Sequence, residues 1–145
     1  MVGTASTTVL AMAHPQQFDD DDPVLAQLRE ICLALPGADE KVSHGRPAFF
    51  TKKIFAMFGA VVKGDHGSDA YGQSLVFMPD PDEAQAIDHD GRFFVPAYWG
   101  PYGWRALDLS GAGGVSVDWD EVAELVADSF RNTATNKLIK ELDAR

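Results

Sequence analysis

The apolar period of this chain changes twice, and that change limits the fold more than any other feature. From Val24 to Leu35, apolar residues recur at helical spacing (Val24, Leu25, Leu28, Ile31, Cys32, Leu35) behind an Asp22-Pro23 start signal. Pro36 and Gly37 then stop the pattern. Helical spacing returns only at Val122, Leu125, Val126 and Phe130, after Asp118 and Glu121 set three residues apart as a capping box. Asn and Thr residues at 132–136 interrupt it before Leu138, Ile139 and Leu142 resume, which predicts a bend or restart of the helix there.

Between these helices lies a segment written in strands. Residues 41–63 are rich in Phe and Val, and Ala48–Thr51 and Ile54–Phe58 flank Lys52 and Lys53, which predicts a hairpin with a basic tip. Val61 and Val62 lead into a Gly, Asp and Ser loop at 64–74, and Ser74–Met78 is a further apolar strand. PDPDEAQAIDHDG carries Pro-Asp start signals and a Gly stop, hence a short helix. RFFVPAYWGPYGWRALDL holds too much Pro and Gly for a helix, and Trp104, Ala106, Leu107 and Leu109 fit a strand after a turn. SGAGGV reads as a turn. The order helix, strands, short helix, strand, long helix gives an α+β fold, a mostly antiparallel sheet with helices packed on one face. We read residues 24–145 as a single domain and 1–23, with its run of Asp19 to Asp22, as a flexible or accessory extension.

A net charge of −10 opposes non-specific attraction to phosphate backbones and anionic membranes. No segment resembles a membrane span or a signal peptide, and one cysteine, Cys32, excludes an intramolecular disulfide, which suits a reducing cytoplasm.

Three stretches, LREICLALPGADEKVSHGRPAFFTKKIFAMF, FFVPAYWGPYGWRALDL and VDWDEVAELVADSF, stand in register with one family. Over roughly residues 24–134 the chain resembles the MmcQ/YjbR family. The resemblance implies a compact YjbR-like fold similar to the CyaY-like arrangement, and a proposed DNA-binding role through hairpins described as a double wing. The family's commoner form has an aromatic before Gly45 and a His before Pro47; here Arg46 takes the latter place.

Two constellations compete for function. Lys41, Arg46, Lys52, Lys53 and Lys63 bring five positive charges to a stretch without an acid. They read either as a wing that lays Lys52 and Lys53 along DNA phosphates while Arg46 enters a groove, or as cations that discourage edge pairing of a solvated hairpin. The neighbouring Phe49, Phe50, Phe55 and Phe58 read as sheet core, with one or two outward at most. The second constellation is the loop at 97–105, where Trp99, Tyr102, Trp104 and Arg105 suit capture of a small anionic or aromatic ligand, or of a protein partner. Against that, Trp104 also reads as a core plug.

His44, His66 and His89 sit on separate segments, and Asp65-His66 and Asp88-His89-Asp90 make a metal site only if the fold gathers them; we assign none, and no cofactor. No nucleophile elbow, phosphate loop or dinucleotide fingerprint is present, and Cys32 falls on the apolar stripe of the first helix as a buried thiol. The sequence therefore reads as a non-enzymatic binding protein of this family, with DNA as the partner through the basic hairpin and a small-ligand or protein-partner module as the alternative.

Overall fold

A computed structural model describes residues 16–112, 114 and 116–145. Residues 1–15 of the extension, and Gly113 and Val115 of the SGAGGV turn, lie outside the described residues. Helix α1 spans Pro23–Leu33, strands β1 Asp39–Ser43, β2 Arg46–Phe50, β3 Ile54–Phe58 and β4 Ser74–Phe77 follow, then α2 Ala84–His89, β5 Phe93–Phe94, a 3-10 turn Gly100–Tyr102, β6 Arg105–Asp108, α3 Trp119–Thr133 and α4 Asn136–Asp143. None of the described helices is long and apolar enough to cross a membrane.

The six strands form one sheet in the order β1-β2-β3-β4-β6-β5, every neighbouring pair antiparallel. The α+β architecture is the one the pattern predicts, and the interrupted carboxy-terminal helix restarts. Ala134 is extended, and Thr135 caps α4 by accepting from the Leu138 amide. Asp118 caps α3 through the Asp120 and Glu121 amides, but Glu121 directs its carboxylate to Arg92 instead of completing the box. Asp22 caps α1 and also accepts from the Gln73 side chain. Asp20 pairs with Arg29 and Asp19 accepts from the Asp21 amide, so three of the four aspartates read as a charge block hold particular partners.

Register sorts the sheet into two faces. Phe49, Ala56 and Phe77 stand in one row across β2, β3 and β4, and Phe58, Leu75, Leu107 and Phe93 in another. Both rows meet Leu25, Leu28 and Cys32 of α1 and Val122, Val126 and Phe130 of α3 in the main core. Burial among these apolar groups pushes the Cys32 thiol well up from its ordinary pKa, in keeping with an inert core cysteine. The other face carries the row Lys41, Ala48, Met57, Val76, Ala106 and Phe94. Loops rather than helices cover it, packing Ala60, Tyr71, Trp99 and Trp104 on the sheet.

One irregularity joins the layers. Ala48 pairs with Met57 and Phe49 with Ala56, but Phe50 pairs with Ile54, so Phe55 is the extra residue of a β-bulge. Strict alternation would send Phe55 to the loop-covered face. The bulge turns it to the helix side, where its ring meets Phe130 edge-on with centroids 5.4 Å apart. The buried Ser129 hydroxyl of α3 donates to the Phe55 carbonyl and accepts from the Met78 amide just past β4.

Replacing Ser129 with Ala should leave that carbonyl and that amide buried without partners. At about 1–3 kcal/mol for each such group, we expect Ser129→Ala to cost roughly 2–3 kcal/mol and to lower Tm by about 8 °C. Thermal unfolding followed by circular dichroism checks this, and a change under about 2 °C would remove Ser129 from this role.

Candidate ligand pocket

On the loop-covered face, the end of the sheet next to the β1–β2 turn opens into a cavity of about 510 Å³. Met57 and Val76 form its floor, two adjacent members of the register row. Ala60 and Val61, just past β3, and Pro96, Ala97, Tyr98 and Trp99, before the 3-10 turn, form its walls. The Ala97 amide donates to the Val61 carbonyl at 2.8 Å, tying the two loops together. Near the mouth, Tyr98 and His66 close a second link, the Tyr98 hydroxyl 3.0 Å from His66 Nδ1. Tyr98 makes this link with φ at 68°, a left-handed conformation uncommon for a bulky side chain.

Arg46 supplies the charge. It begins β2 on the same face as Ala48, two residues on, and its partly buried side chain lies across Gly59. Gly59 has φ of 99°, and a Cβ there would fall 2.1 Å from Arg46 Nη1. The positive φ favours glycine at residue 59, and a Cβ there would displace the end of the Arg46 side chain. Arg46 Nη2 donates to Gln17 Oε1 at 3.0 Å, and the Gln17 amide donates to the Gly45 carbonyl, so the segment before α1 borders the cavity. Arg46 Nη1 is buried with no hydrogen-bond partner among the described residues. Burial pulls the guanidinium pKa down from its ordinary value, but an arginine remains charged at neutral pH. The second buried polar atom without a partner among the described residues is Ser74 Oγ, on the strand beside Gly59, whose amide donates to the Ser74 carbonyl.

Of the other cations read as a basic wing, the two at the hairpin tip are placed far from Arg46. Lys52 and Lys53 sit exposed at the β2–β3 tip, six or seven residues along from Arg46 and so roughly 20 Å away at the opposite end of the sheet. Lys41 on the edge strand holds its ammonium 4.6 Å from the centroid of the Phe50 ring. Lys63 is exposed in the loop after β3. The three other phenylalanines, Phe49, Phe55 and Phe58, are buried in the helix-side core.

The aromatic loop divides as well. Trp99 lines the cavity, and Trp104, 8% exposed, packs beneath it edge-on with ring centroids 5.9 Å apart. Tyr102 is 76% exposed and is not part of the cavity wall. Arg105 turns to the helix side, donating to Asp88 at 2.7 Å and to the Trp104 carbonyl. The Arg105 hydrogen bond holds the Asp88 carboxyl below its ordinary pKa. Asp90 is likewise held down by Arg92, so the Asp88-His89-Asp90 fragment spends its two carboxylates on different arginines. Among the described residues no group of three His, Cys, Asp or Glu side chains could hold a metal ion.

The cavity thus draws Arg46 from one predicted constellation and Trp99, with its neighbour Tyr98, from the other, takes in His66, weighed before only as a metal-site fragment, and adds Gln17, Met57 and Gly59, which sequence reasoning did not select. One of these was within reach. A hairpin centred on Lys52-Lys53 places residue 59 opposite residue 46, a glycine facing an arginine on the same side of the sheet.

No curated protein matches the chain. A family model described as YjbR matches residues 33–132, from the last residue of α1 to the last turn of α3. Arg46, Gly59 and Trp99 fall inside that match and Gln17 outside it. The match covers well over half of the chain and contains the whole sheet, and on that ground the protein belongs to the YjbR family.

Proposed function

We propose that this protein binds a small ligand in the cavity between the sheet and the 59–73 and 95–104 loops, with Arg46 as its polar anchor and Trp99 as an apolar wall. The observation that carries the reading is Arg46 Nη1, a buried charged donor without a partner at the wall of a cavity. A buried donor left unpaired costs free energy, more when it carries charge, and a ligand oxygen would recover that cost. The size and largely apolar lining suit a small molecule.

The competing reading, a double wing on DNA, draws on the same basic stretch. Its cations are dispersed over both ends of the sheet, its arginine is turned into the cavity, and the chain's field is strongly negative. For the pocket reading, wild type and the Lys52→Glu, Lys53→Glu double variant should retain duplex DNA equally weakly at every salt concentration. Retention by wild type that falls with a steep salt slope, and is lost on double reversal, would favour the wing.

The pocket itself is tested by thermal shift over a library of small organic acids, alcohols and amines. A ligand at one hundred times its Kd adds about 2.7 kcal/mol, a rise in Tm of roughly 8 °C. Val61→Trp, which narrows the cavity from a partly exposed position, should abolish the shift while folding normally. Gly59→Ala should displace Arg46, lose the same shift and cost about 1–3 kcal/mol through its positive φ. Shifts that survive in both variants, or none in the wild type, would sink the pocket reading.

A further inference from the structure

We infer that the ligand of this cavity is a flat, apolar monocarboxylate, bound through both terminal nitrogens of Arg46 with its body against Trp99 and Met57. This deepens the pocket reading and rests on it. Among the described lining residues Arg46 is the one permanent cation; there is no lysine and no carboxylate, and the other titratable groups are His44, His66 and Tyr98. A single guanidinium matches a single negative charge. A phosphate dianion would leave part of its charge unmatched inside a chain that already carries −10.

Geometry gives the same answer. The guanidinium is a planar fork whose parallel N–H bonds suit the two oxygens of a carboxylate. Here Nη1 is buried without an acceptor among the described residues, and Nη2 is held by Gln17 Oε1 at 3.0 Å. That amide oxygen occupies the place of one carboxylate oxygen, and Gln17 belongs to the segment before α1, which meets the β1–β2 turn through one backbone hydrogen bond to Gly45. A carboxylate therefore gains one new donor and exchanges a neutral acceptor for a charged one at the other. Gly59 fixes the arrangement from behind, since Arg46 lies in the space a side chain would fill.

The remaining surface selects the ligand's body. Met57 and Val76 offer an apolar floor without a hydrogen-bonding side chain, and the Trp99 indole is backed edge-on by Trp104. A rigid aromatic wall and a polarizable thioether favour a planar, unsaturated group over a hydroxylated chain.

A matched set that differs only in its head group tests the assignment on the full chain: 1-naphthoate, 1-naphthalenemethanol and 1-naphthyl phosphate, titrated by calorimetry into wild type, Arg46→Gln and Arg46→Lys. We expect wild type to bind the acid at least tenfold more tightly than either the alcohol or the phosphate. Arg46→Gln should bind acid and alcohol alike, and Arg46→Lys should recover only part of the preference, because an ammonium is a point charge without the fork. Equal binding of acid and alcohol by wild type, or tighter binding of the phosphate, would overturn the carboxylate assignment while leaving the pocket occupied. Absence of binding by all three, with no small molecule shifting Tm, would overturn the pocket along with it.

Discussion

The extra residue in β3 sets what each face of the sheet can become. Without the bulge at Phe55, the strand would alternate from Ile54 to Phe58 and direct Phe55 to the loop-covered side, leaving Phe130 of α3 without its edge-on partner. A bulge also disturbs the ladder and leaves polar backbone to be satisfied. Ser129 answers that need, because one hydroxyl can donate to the Phe55 carbonyl and accept from the Met78 amide at once. The same hydroxyl therefore locks α3 to β3 and β4 in a single register. Asn132, one turn further along α3, extends the lock by donating to the Met78 and Pro79 carbonyls.

With every described helix on one side, the opposite face must be closed by irregular chain. Loops bury a surface less completely than helices, since their backbone groups also need partners. The two covering loops here meet each other through Ala97 and Val61 and through Tyr98 and His66 more than they fill the sheet's edge, and the space left between them is the cavity. Its position follows from register. Arg46 is the first residue of β2 and Gly59 the first after β3, so the side chain of one can occupy the space that the other leaves free.

The parts of this fold that periodicity and capping control were legible in the sequence. Both long helices, the restart near Ala134, the basic hairpin tip and the short α2 follow from rules that act over a few residues. Three features escaped because they depend on tertiary partners. The two-residue β5 is too short to carry a pattern and is a strand only because it pairs with β6. The turn at His44-Gly45 has positive φ at both residues, a hairpin geometry that His does not announce. The inward turn of Arg46 was hidden because a run of cations suggests a common outward face, whereas alternation and the hairpin's length send its members to opposite ends.

That dispersal changes what the basic stretch SHGRPAFFTKKIFAMFG can mean. Surface lysines in water are screened over about 8 Å at physiological salt, and those at the tip act against a net charge of −10. Arg46, partly buried between Gly59 and the cavity, is shielded from both effects: water and salt screen it less, and an acceptor placed at Nη1 interacts with it at a lower effective dielectric. One enclosed guanidinium can therefore give more selectivity for an anion than the four exposed lysines together. On the proposed reading it would do so only for a partner small enough to enter, and a net charge of −10, which opposes attraction of long polyanions, would act in the same direction.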